Sequence, residues 1–338
     1  PGEASSAVTS LDGYQMARRG KAGYALATAA LASVIAGFIG TLLIAALAGP
    51  LSSWAIKFGA EDYFALMLMG LVSATVLSSG DLAKSLGMVV FGLLLGLIGT
   101  DVNSGAERFT FDVPELADGI GFSILAVGLF AVPEVVHNLG QKEMREVFTS
   151  KVSGMMMTWT EFKAILAPSL RGTTVGGLFG MLPGVGPTVS SFAAYMVEKK
   201  MAKDPARFGA GAVEGVAAPE AANNAAAQTT FIPTLTLGIP GSATMALIFG
   251  ALVMYGVQPG PTVMVRDTQL FWGLVASMFV GNVMLVALNL PLVGVWVKLL
   301  TVPYRWLFPC IIMFCAFGNY TVNSNVVDVY VCAAVGVL

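Results

Sequence analysis

Charge is what this sequence has least of. Of its 338 residues, 18 are Lys or Arg and 20 are Asp or Glu, so only 11% are charged, whereas 56% are apolar. A soluble globular protein carries about 25% charged residues, so this chain cannot coat a surface that faces water. The long uncharged stretches are 23–49, 63–80, 172–197, 270–297 and 306–327. Each is near or above the roughly 18 residues of a bilayer-spanning helix, and the sequence predicts an all-α integral membrane protein with many passes.

Cysteines, basic blocks and nucleotide-binding loops are also scarce or missing. The three cysteines, Cys310, Cys315 and Cys332, lie in apolar segments and show neither metal-ligand spacing nor a secreted disulfide framework. With a net charge of −2 and no basic block, the chain has no nucleic-acid partner. No Gly-x-x-x-x-Gly-Lys-Ser/Thr loop for binding ATP or GTP occurs. Any energy that drives the protein's function therefore comes from a gradient or from another subunit. We expect no cofactor, and Na⁺ or H⁺ as the coupling ion.

Two of the apolar stretches must contain breaks. A single helix from 221 to 265 would reach roughly 67 Å, about twice a bilayer core. Gly238-Ile239-Pro240-Gly241 supplies a break there, and Pro183-Gly184-Val185-Gly186-Pro187 breaks the stretch 172–197. Non-helical backbone at membrane depth survives only where it is buried in protein or lines a cavity. Full spans are expected near 24–48, 63–80, 84–100, 119–138, 270–297, 306–322 and 326–338.

The flanking charges predict the orientation of the chain. Arg18, Arg19 and Lys21 precede the first long span and place its start in the cytoplasm. The acidic segment 101–118 is then outside, and the basic segments 139–163 and 198–208 are cytoplasmic. This makes 164–197 a re-entrant hairpin.

The two halves of the chain share short patterns at a nearly constant separation. The recurring pairs are Ala32-Ser33 with Ala276-Ser277, Gly37 with Gly281, Pro50 with Pro291, Lys57 with Lys298, and Pro1-Gly2 with Pro240-Gly241. The charges orient the halves oppositely, so we predict two inverted-topology repeats with broken or re-entrant helices at the midplane, as in many secondary transporters.

The predicted organisation is a first repeat at 1–138, a cytoplasmic linker at 139–163 and a second repeat at 164–338. The chain begins at Pro1 and stops inside an apolar run. Both ends look cut, so we expect the first repeat to lack its N-terminal hairpin and the second its C-terminal end.

The broken stretches hold the candidate substrate site. A helix starting near Pro187, with proline at its first position, exposes the N–H groups of Gly186, Thr188 and Val189. Ser242 stands where the N-cap of another helix belongs. Helix N-termini carry partial positive charge and free donors, and so bind carboxylates. The predicted substrate-binding residues are Gly184, Val185, Gly186, Pro187, Thr188, Ser190, Asn223, Asn224, Pro240, Gly241, Ser242, Ala243 and Thr244, with Gly2, Glu3, Ala4 and Ser5 from the first repeat.

A cation site is predicted beside the substrate. Asn223, Asn224 and Glu3 offer oxygen ligands that suit Na⁺, a hard ion. Inversion of the repeats should bring 1–6 and 240–244 to face each other across one cavity, with 184–188 close by. Glu3 would repel an anion there unless a cation or proton accompanied it. Three roles stay open for Glu220, namely an interfacial position, pairing with a cation, or carrying a proton.

Other small and charged residues suggest structural roles. Gly92 and Gly96 form a Gly-x-x-x-Gly pair typical of close helix packing. Packing explains the Pro-Gly-x-Gly-Pro stretch poorly, because packing gains nothing from a broken helix in lipid. Arg171 follows Ala167-Pro168-Ser169, and we expect it in the first turn of a helix, snorkelling to the interface.

Three motifs resemble the large membrane subunit of the tripartite tricarboxylate transporter family. They are 182–186, 214–225 and 237–242, and Leu11-Asp12-Gly13-Tyr14 resembles the signature of the family's first half. The resemblance spans nearly the whole chain, although the family's preceding Pro-Gly hairpin is absent. It implies a permease of the bacterial inner membrane that works with a small membrane subunit and a periplasmic solute-binding protein. It also implies cation-driven transport of citrate or another carboxylate.

Other classes of protein fit the sequence less well. In an intramembrane serine hydrolase, Ser78-Ser79-Gly80 would hold the nucleophile and His137 the base, but no third partner is evident. A non-transporting scaffold needs neither inverted repeats nor broken helices. A channel remains compatible with the sequence.

Overall fold

A computed structural model gives the architecture of most of the chain. It describes residues 4–55, 57, 59, 61–62, 64–65, 68, 71–72, 81–101, 104–121, 124–125, 127–140, 155–182, 185–260, 263–299, 302 and 304–337. Most of these residues are helical, which confirms the all-α expectation. The helices are α1 Ala7–Arg18, α2 Ala22–Ala55, α3 Leu82–Leu95, α4 Val132–Gly140, α5 Trp159–Gly180, α6 Gly186–Met201, α7 Glu214–Thr229, α8 Phe231–Leu237, α9 Ala243–Met254, α10 Val263–Arg266, α11 Thr268–Leu299, α12 Tyr304–Asn323 and α13 Val326–Val337.

Among the described residues, two helices are long and apolar enough to cross a membrane. They are Ala22–Trp54 within α2, with a mean hydropathy of 2.4, and Thr268–Val293 within α11, with a mean hydropathy of 2.0. Both agree with the spans expected at 24–48 and 270–297. The spans expected at 306–322 and 326–338 correspond to the helices α12 and α13. Most of the span expected at 63–80 lies outside the described residues.

The span predicted at 84–100 is too long at its C-terminal end. Helix α3 ends at Leu95, and β1 Gly99–Thr100 then pairs antiparallel with β2 Glu107–Arg108. Gly99 has a φ of 120°, which a helix does not allow. The acidic segment 101–118 therefore begins with a small hairpin, and Arg108 bonds Asp101 at 2.9 Å.

The chain forms two compact units. The first contains Pro1–Ala74, Phe148–Met245 and Leu252–Val297, and the second contains Thr75–Val147, Ala246–Ala251 and Lys298–Leu338. The division at 138 and 163 into two repeats stays a prediction, as do their inversion and the re-entrant hairpin.

Helix α7 is the centre of the first unit, because it contacts α1, α2, α5 and α6. Its contact with α5 is unusually close. A Cβ built on Gly172 would lie 2.1 Å from the carbonyl oxygen of Ala218, and one on Gly176 would lie 2.2 Å from that of Ala222. Small residues at every fourth position let two helix backbones touch, which is a common way of packing helices in membranes.

A second part of this core joins α2, α8 and α11. Ile44 and Ala48 of α2 pack with Ile232 and Leu235 of α8 and with Phe271 and Val275 of α11, and all six are at most 4% exposed. These contacts fix the position of α8, the short helix that precedes the second predicted break.

Asp12 fastens α1 to a distant loop. Its side chain is fully buried, and its Oδ1 accepts the backbone N–H groups of Gly209, Gly211 and Ala212 at 2.7–2.9 Å. The hydroxyl of Tyr195 donates to Oδ2 at 2.9 Å. A buried carboxylate is tolerated only when hydrogen bonds compensate its charge, and these four bonds do so.

In the second unit, α13 packs on α4 and on the π-helical turn Val127–Ala131. Gly128 and Gly336 make the close contacts, since added Cβ atoms would lie 2.8 Å from the Cys332 carbonyl oxygen and 2.6 Å from the Val132 Cβ. Cys332 is buried here, as a small apolar residue.

Candidate functional site

The first broken stretch separates α5 from α6. Helix α5 ends at Gly180 and α6 begins at Gly186, whose φ of 64° is left-handed. Pro187 is the second residue of α6, one position later than expected. Pro183 and Gly184 lie outside the described residues. The break itself is where the sequence placed it.

The second broken stretch separates α8 from α9. Helix α8 ends at Leu237, and Gly238 follows with a φ of 72°. The Met245 N–H donates to Ser242 Oγ at 3.1 Å, which confirms Ser242 as the N-cap of α9. A further break at Thr230, between α7 and α8, was not expected from the sequence. Its cause is Pro233, which has no N–H to donate to Thr229.

The two broken stretches meet. A Cβ built on Gly186 would lie 3.1 Å from the Gly241 carbonyl oxygen and 3.7 Å from the Ser242 Cβ. Gly241 in turn lies against Thr230, since an added Cβ would be 2.9 Å from the Thr230 Cγ2 and 3.9 Å from the Gly180 carbonyl oxygen. We call Gly180, Gly186, Thr230, Gly241 and Ser242 the helix-break junction. The N-terminal ends of α6 and α9 therefore start side by side.

The other predicted residues of α6 and α9 differ in exposure. Thr188 and Thr244 are exposed, whereas Val185, Pro187 and Pro240 are half-buried. Ser190 is buried, and its Oγ donates to the Gly186 carbonyl oxygen at 2.8 Å. Of the predicted hydroxyl residues in α6 and α9, Thr188 and Thr244 are therefore the exposed ones.

Glu220 of α7 contacts α1 and α2, and Asn223 contacts the 3-10 turn that precedes α1. Asn223 is 8% exposed and donates to Ser6 Oγ at 3.2 Å, whereas Asn224 is half-buried. Thr9 Oγ1 and Ser33 Oγ donate to the two carboxylate oxygens of Glu220, both at 3.2 Å. Glu220 is half-buried and accepts hydrogen bonds from α1 and α2, and its three predicted roles stay open.

Two of the four predicted first-repeat site residues lie outside the described part of the chain. Gly2 and Glu3 lie outside the described residues, and so does that part of the predicted shared cavity. Ala4 and Ser5 form a 3-10 turn, Ala4–Ser6, that contacts α6 and α7. The turn and the helix-break junction both contact α6, and the shared substrate site stays a prediction.

The expectation for Arg171 is wrong. Helix α5 begins at Trp159, because Thr158 and Glu161 form a capping box there, so Arg171 lies in mid-helix and not in a first turn. Its Nε donates to Glu198 Oε2 at 2.8 Å, and an NH group donates to Oε1. Glu198 is only 4% exposed, so Arg171 neutralises a buried carboxylate and holds α5 to α6.

A large cavity, not expected from the sequence, lies in the second unit. It measures about 780 Å³ and is lined by Glu115, Asp118 and Asp328 together with Asn323 and Asn325. Among the described residues, three carboxylates and no basic residue line it. An anionic substrate would be repelled there, so this cavity is a poorer candidate for a carboxylate than the helix-break junction.

The structure describes few of the groups that a serine hydrolase or a metal site would need. Ser78, Ser79 and Gly80 lie outside the described residues, as does the side chain of His137. Within the described part of the chain, no three His, Cys, Asp or Glu side chains cluster as a metal site. A Na⁺ site needs less, because one carboxylate and several neutral oxygens suffice.

The chain is similar to two proteins of Agrobacterium vitis. The chain is 54% identical over 338 residues to an uncharacterised 52.8 kDa protein in the TAR-I ttuC′ 3′ region of Agrobacterium vitis, covering 100% of this chain and 67% of that protein. It is 58% identical over 163 residues to an uncharacterised protein in the TAR-II ttuC′ 3′ region of the same organism, covering 48% of this chain and 67% of that protein. No solved structure matches the chain significantly. The model of the tripartite tricarboxylate transporter TctA family matches residues 1–338, and the chain belongs to that family of membrane transporters, whose members act with partner subunits.

Proposed function

We propose that this protein transports a carboxylate across the bacterial inner membrane by secondary active transport coupled to a cation. The substrate is a tricarboxylate such as citrate, or a related di- or monocarboxylate. A periplasmic solute-binding protein delivers the substrate, and a small membrane subunit completes the transporter.

The observation that supports the proposal is the meeting of two helix starts at the helix-break junction. Gly186 begins α6 and Ser242 caps α9, and their backbones lie within contact of each other. The first turns of both helices leave backbone N–H groups without intrahelical partners. Such groups are ready to bind a carboxylate.

The electrostatics of the junction suit an anion. Each helix N-terminus contributes about 0.3–1 kcal/mol to binding a negative charge, and more where water is excluded. No arginine is needed for this, and the nearby Arg171 is already engaged by Glu198. Binding by helix ends lets the site release its substrate again, which a transporter requires.

The first experiment measures uptake. The full-length protein and its partner subunits are reconstituted in proteoliposomes and offered a panel of radiolabelled carboxylates with and without a sodium gradient. We expect accumulation of at least one carboxylate, and more of it with the gradient. Absence of both uptake and exchange for every carboxylate would refute the proposed function.

A second experiment locates the substrate. In a background in which Cys310, Cys315 and Cys332 are replaced, Thr188→Cys provides an exposed thiol two residues into α6 from Gly186. The transported carboxylate should slow its reaction with a water-soluble thiol reagent severalfold. Met196→Cys is the matched control, because Met196 is 64% exposed on the same helix but lies about two turns beyond Thr188. Equal protection of both thiols would argue against binding at the junction.

A further inference from the structure

A pocket of about 300 Å³ lies in the first unit, between the C-terminal end of α1 and the loop that follows α6. Arg19 lines it from the end of α1, and Asp204, Arg207 and Gly211 line it from the loop. We call it the arginine pocket. None of these four residues belongs to the predicted substrate site, so the pocket is a separate feature of the molecule.

The loop that forms the pocket is held in place by hydrogen bonds. Asp12 of α1 accepts the N–H groups of Gly211 and Ala212 at 2.7 and 2.8 Å, which fixes this side of the loop against α1. Asp204 caps the 3-10 turn Pro205–Arg207, because its Oδ1 accepts a backbone N–H of the turn at 3.1 Å. The two arginines are therefore carried by ordered backbone on both sides of the pocket.

The guanidinium groups of the pocket retain donors for a ligand. In the described part of the chain, the Arg19 side chain makes neither an ion pair nor a hydrogen bond. Its Nη1 would lie 3.4 Å from a Cβ built on Gly211, so it lies against the loop. Arg207 donates one N–H group to Glu214 at 3.2 Å and keeps the others. Guanidinium groups bind phosphate through paired N–H donors, so the two arginines suit a phosphate group.

The surroundings of the pocket are strongly basic. Segments 18–21 and 199–207 hold seven of the chain's 18 lysines and arginines, and only one carboxylate, Asp204. Orientation of the chain in the membrane requires basic residues on one side, but it requires neither a pocket nor an unpaired arginine within it. Basic clusters that flank a membrane span attract anionic lipids, and basic pockets between helices on the cytoplasmic side bind their headgroups.

An apolar stripe on α6 runs toward the same loop. Phe192 and Met196 are 46% and 64% exposed, and Lys200 is exposed as well. These three residues are four positions apart and therefore lie on one face of the helix. The stripe is apolar at first and basic where α6 approaches the loop. A phospholipid has the same order of acyl chain and headgroup, whereas a free anion makes no use of an apolar stripe.

We propose that the arginine pocket binds the phosphate group of an anionic phospholipid in the cytoplasmic leaflet, with an acyl chain along the stripe of Phe192 and Met196. Arg19 and Arg207 bind the phosphate oxygens. The flanking charges of the sequence predict that both segments are cytoplasmic. The bound lipid bridges the end of α1 and the loop after α6, and so stabilises the first unit. The inference goes beyond the proposed function, because it requires no particular transported substrate.

The first test measures the Tm of the purified full-length protein in a neutral detergent. Phosphatidylglycerol added to the micelles should raise the Tm until the site is saturated, whereas phosphatidylcholine at the same mole fraction should not. Arg19→Gln and Arg207→Gln should each raise the phosphatidylglycerol concentration at half effect about tenfold, and the double variant should lose the shift. Inorganic phosphate separates a free anion from a lipid. A shift with phosphate as large as that with phosphatidylglycerol would overturn the lipid assignment.

Arg266→Gln is the matched control. Arg266 is exposed at the end of the short helix α10 in the same unit and does not line the pocket. Its replacement removes one positive charge, as in the single pocket variants, and should leave the shift intact. An unchanged shift in Arg19→Gln/Arg207→Gln would overturn the inference. An equal loss of the shift in Arg266→Gln would also overturn it, because the lipid would then respond to the general charge of the protein.

The second test counts bound lipids by native mass spectrometry of protein released from micelles that contain phosphatidylglycerol. Arg19→Gln/Arg207→Gln should retain one phosphatidylglycerol molecule fewer than the wild type. Arg19→Lys/Arg207→Lys keeps both charges but lacks the paired donors, so its occupancy should be intermediate. Equal retention by the wild type and Arg19→Gln/Arg207→Gln, both folded in the same detergent, would refute the site. Neither test involves uptake, so the proposed function is tested separately.

Discussion

Two helices carry glycines at every fourth position, and their surroundings differ. In α5, Gly172, Gly176 and Gly180 all press on the backbone of α7. In α3, a Cβ built on Gly92 would have no atom of the described residues within 4 Å. Close packing of Gly92 and Gly96 stays a prediction, whereas in α5 it is observed. Glycine spacing permits close packing, but a partner helix with small residues at the same spacing is what produces it.

The largest expected effect is at the centre of the α5–α7 contact. Gly176→Ala places a Cβ where the Ala222 carbonyl oxygen and Cα now lie, 2.2 and 2.6 Å away, and backbone atoms cannot move aside singly. Overpacking of this kind costs about 1–3 kcal/mol, occasionally more. We expect a clear fall in Tm, and no folded protein from Gly176→Leu.

Gly281→Ala is the control for this experiment. Gly281 lies within α11 of the same unit, and no atom of the described residues lies within 4 Å of an added Cβ. Its Tm should be unchanged or slightly higher, because alanine favours helix more than glycine does. Equal Tm values for Gly176→Ala and Gly281→Ala would contradict the backbone contact.

The next effect separates packing from transport. Gly186→Ala puts a Cβ on a left-handed residue and 3.1 Å from the Gly241 carbonyl oxygen. The strain is local and costs about 1–2 kcal/mol, so the protein should still fold. Uptake should drop by more than tenfold, because the two helix starts are pushed apart. Normal uptake by this variant would count strongly against the junction as the site.

A smaller effect tests the contact of α5 with α6, which rests on a side-chain pair and not on backbone contact. Arg171→Gln leaves Glu198 without its cation. A fully buried pair would lose about 3–5 kcal/mol, but the Arg171 side chain is 38% exposed, so we expect about 1–3 kcal/mol.

The double variant Arg171→Gln/Glu198→Gln should lose less stability than the two single variants added together, since neither charge is then left alone. Arg171→Lys should recover only part of the loss, because lysine cannot make the bidentate contact. Additive losses would show that the pair does not couple the helices.

The smallest effect concerns the start of α5. The Glu161 carboxylate accepts a hydrogen bond from the Thr158 N–H and another from the Thr158 hydroxyl. These bonds, the first more than the second, hold the pKa of Glu161 below its ordinary value of 4.5. A lowered pKa stabilises the folded state above the ordinary pKa, and this is lost as the pH falls through the lowered value. The Tm of the wild type should therefore fall slightly more between pH 6 and pH 3 than that of Glu161→Gln. If the Tm of the wild type and the Tm of Glu161→Gln fall equally with pH, the capping box does not contribute to stability.

The breaks at Pro187 and at 238–242 were predictable because their causes are local, whereas the break at Thr230 was missed although Pro233 is just as close to it. Pro187, Gly238 and Ser242 each determine the conformation of their own neighbourhood, and the chain breaks at those positions. The end of α3 was misplaced, because Gly99 lies inside an apolar run and only its φ shows that the helix has stopped.

The contacts of the candidate site were not predictable, because they join distant segments. Nothing in the sequence beside Glu220 indicates Thr9 or Ser33, which lie 211 and 187 residues away. The same holds for Arg171 and Glu198, whose pairing depends on how α5 and α6 cross. Local patterns give the ends of helices, whereas polar contacts follow from packing.

Asp12 also has a consequence for how the protein is made. Its partners Gly209, Gly211 and Ala212 come 197 to 200 residues later in the chain. Since synthesis proceeds at about 5–20 residues per second, the ribosome needs on the order of 10–40 s to deliver them. During that time α1 cannot take its final position, because its carboxylate would be buried without donors. We therefore expect α1 to take its final position only after residues 209–212 have been made.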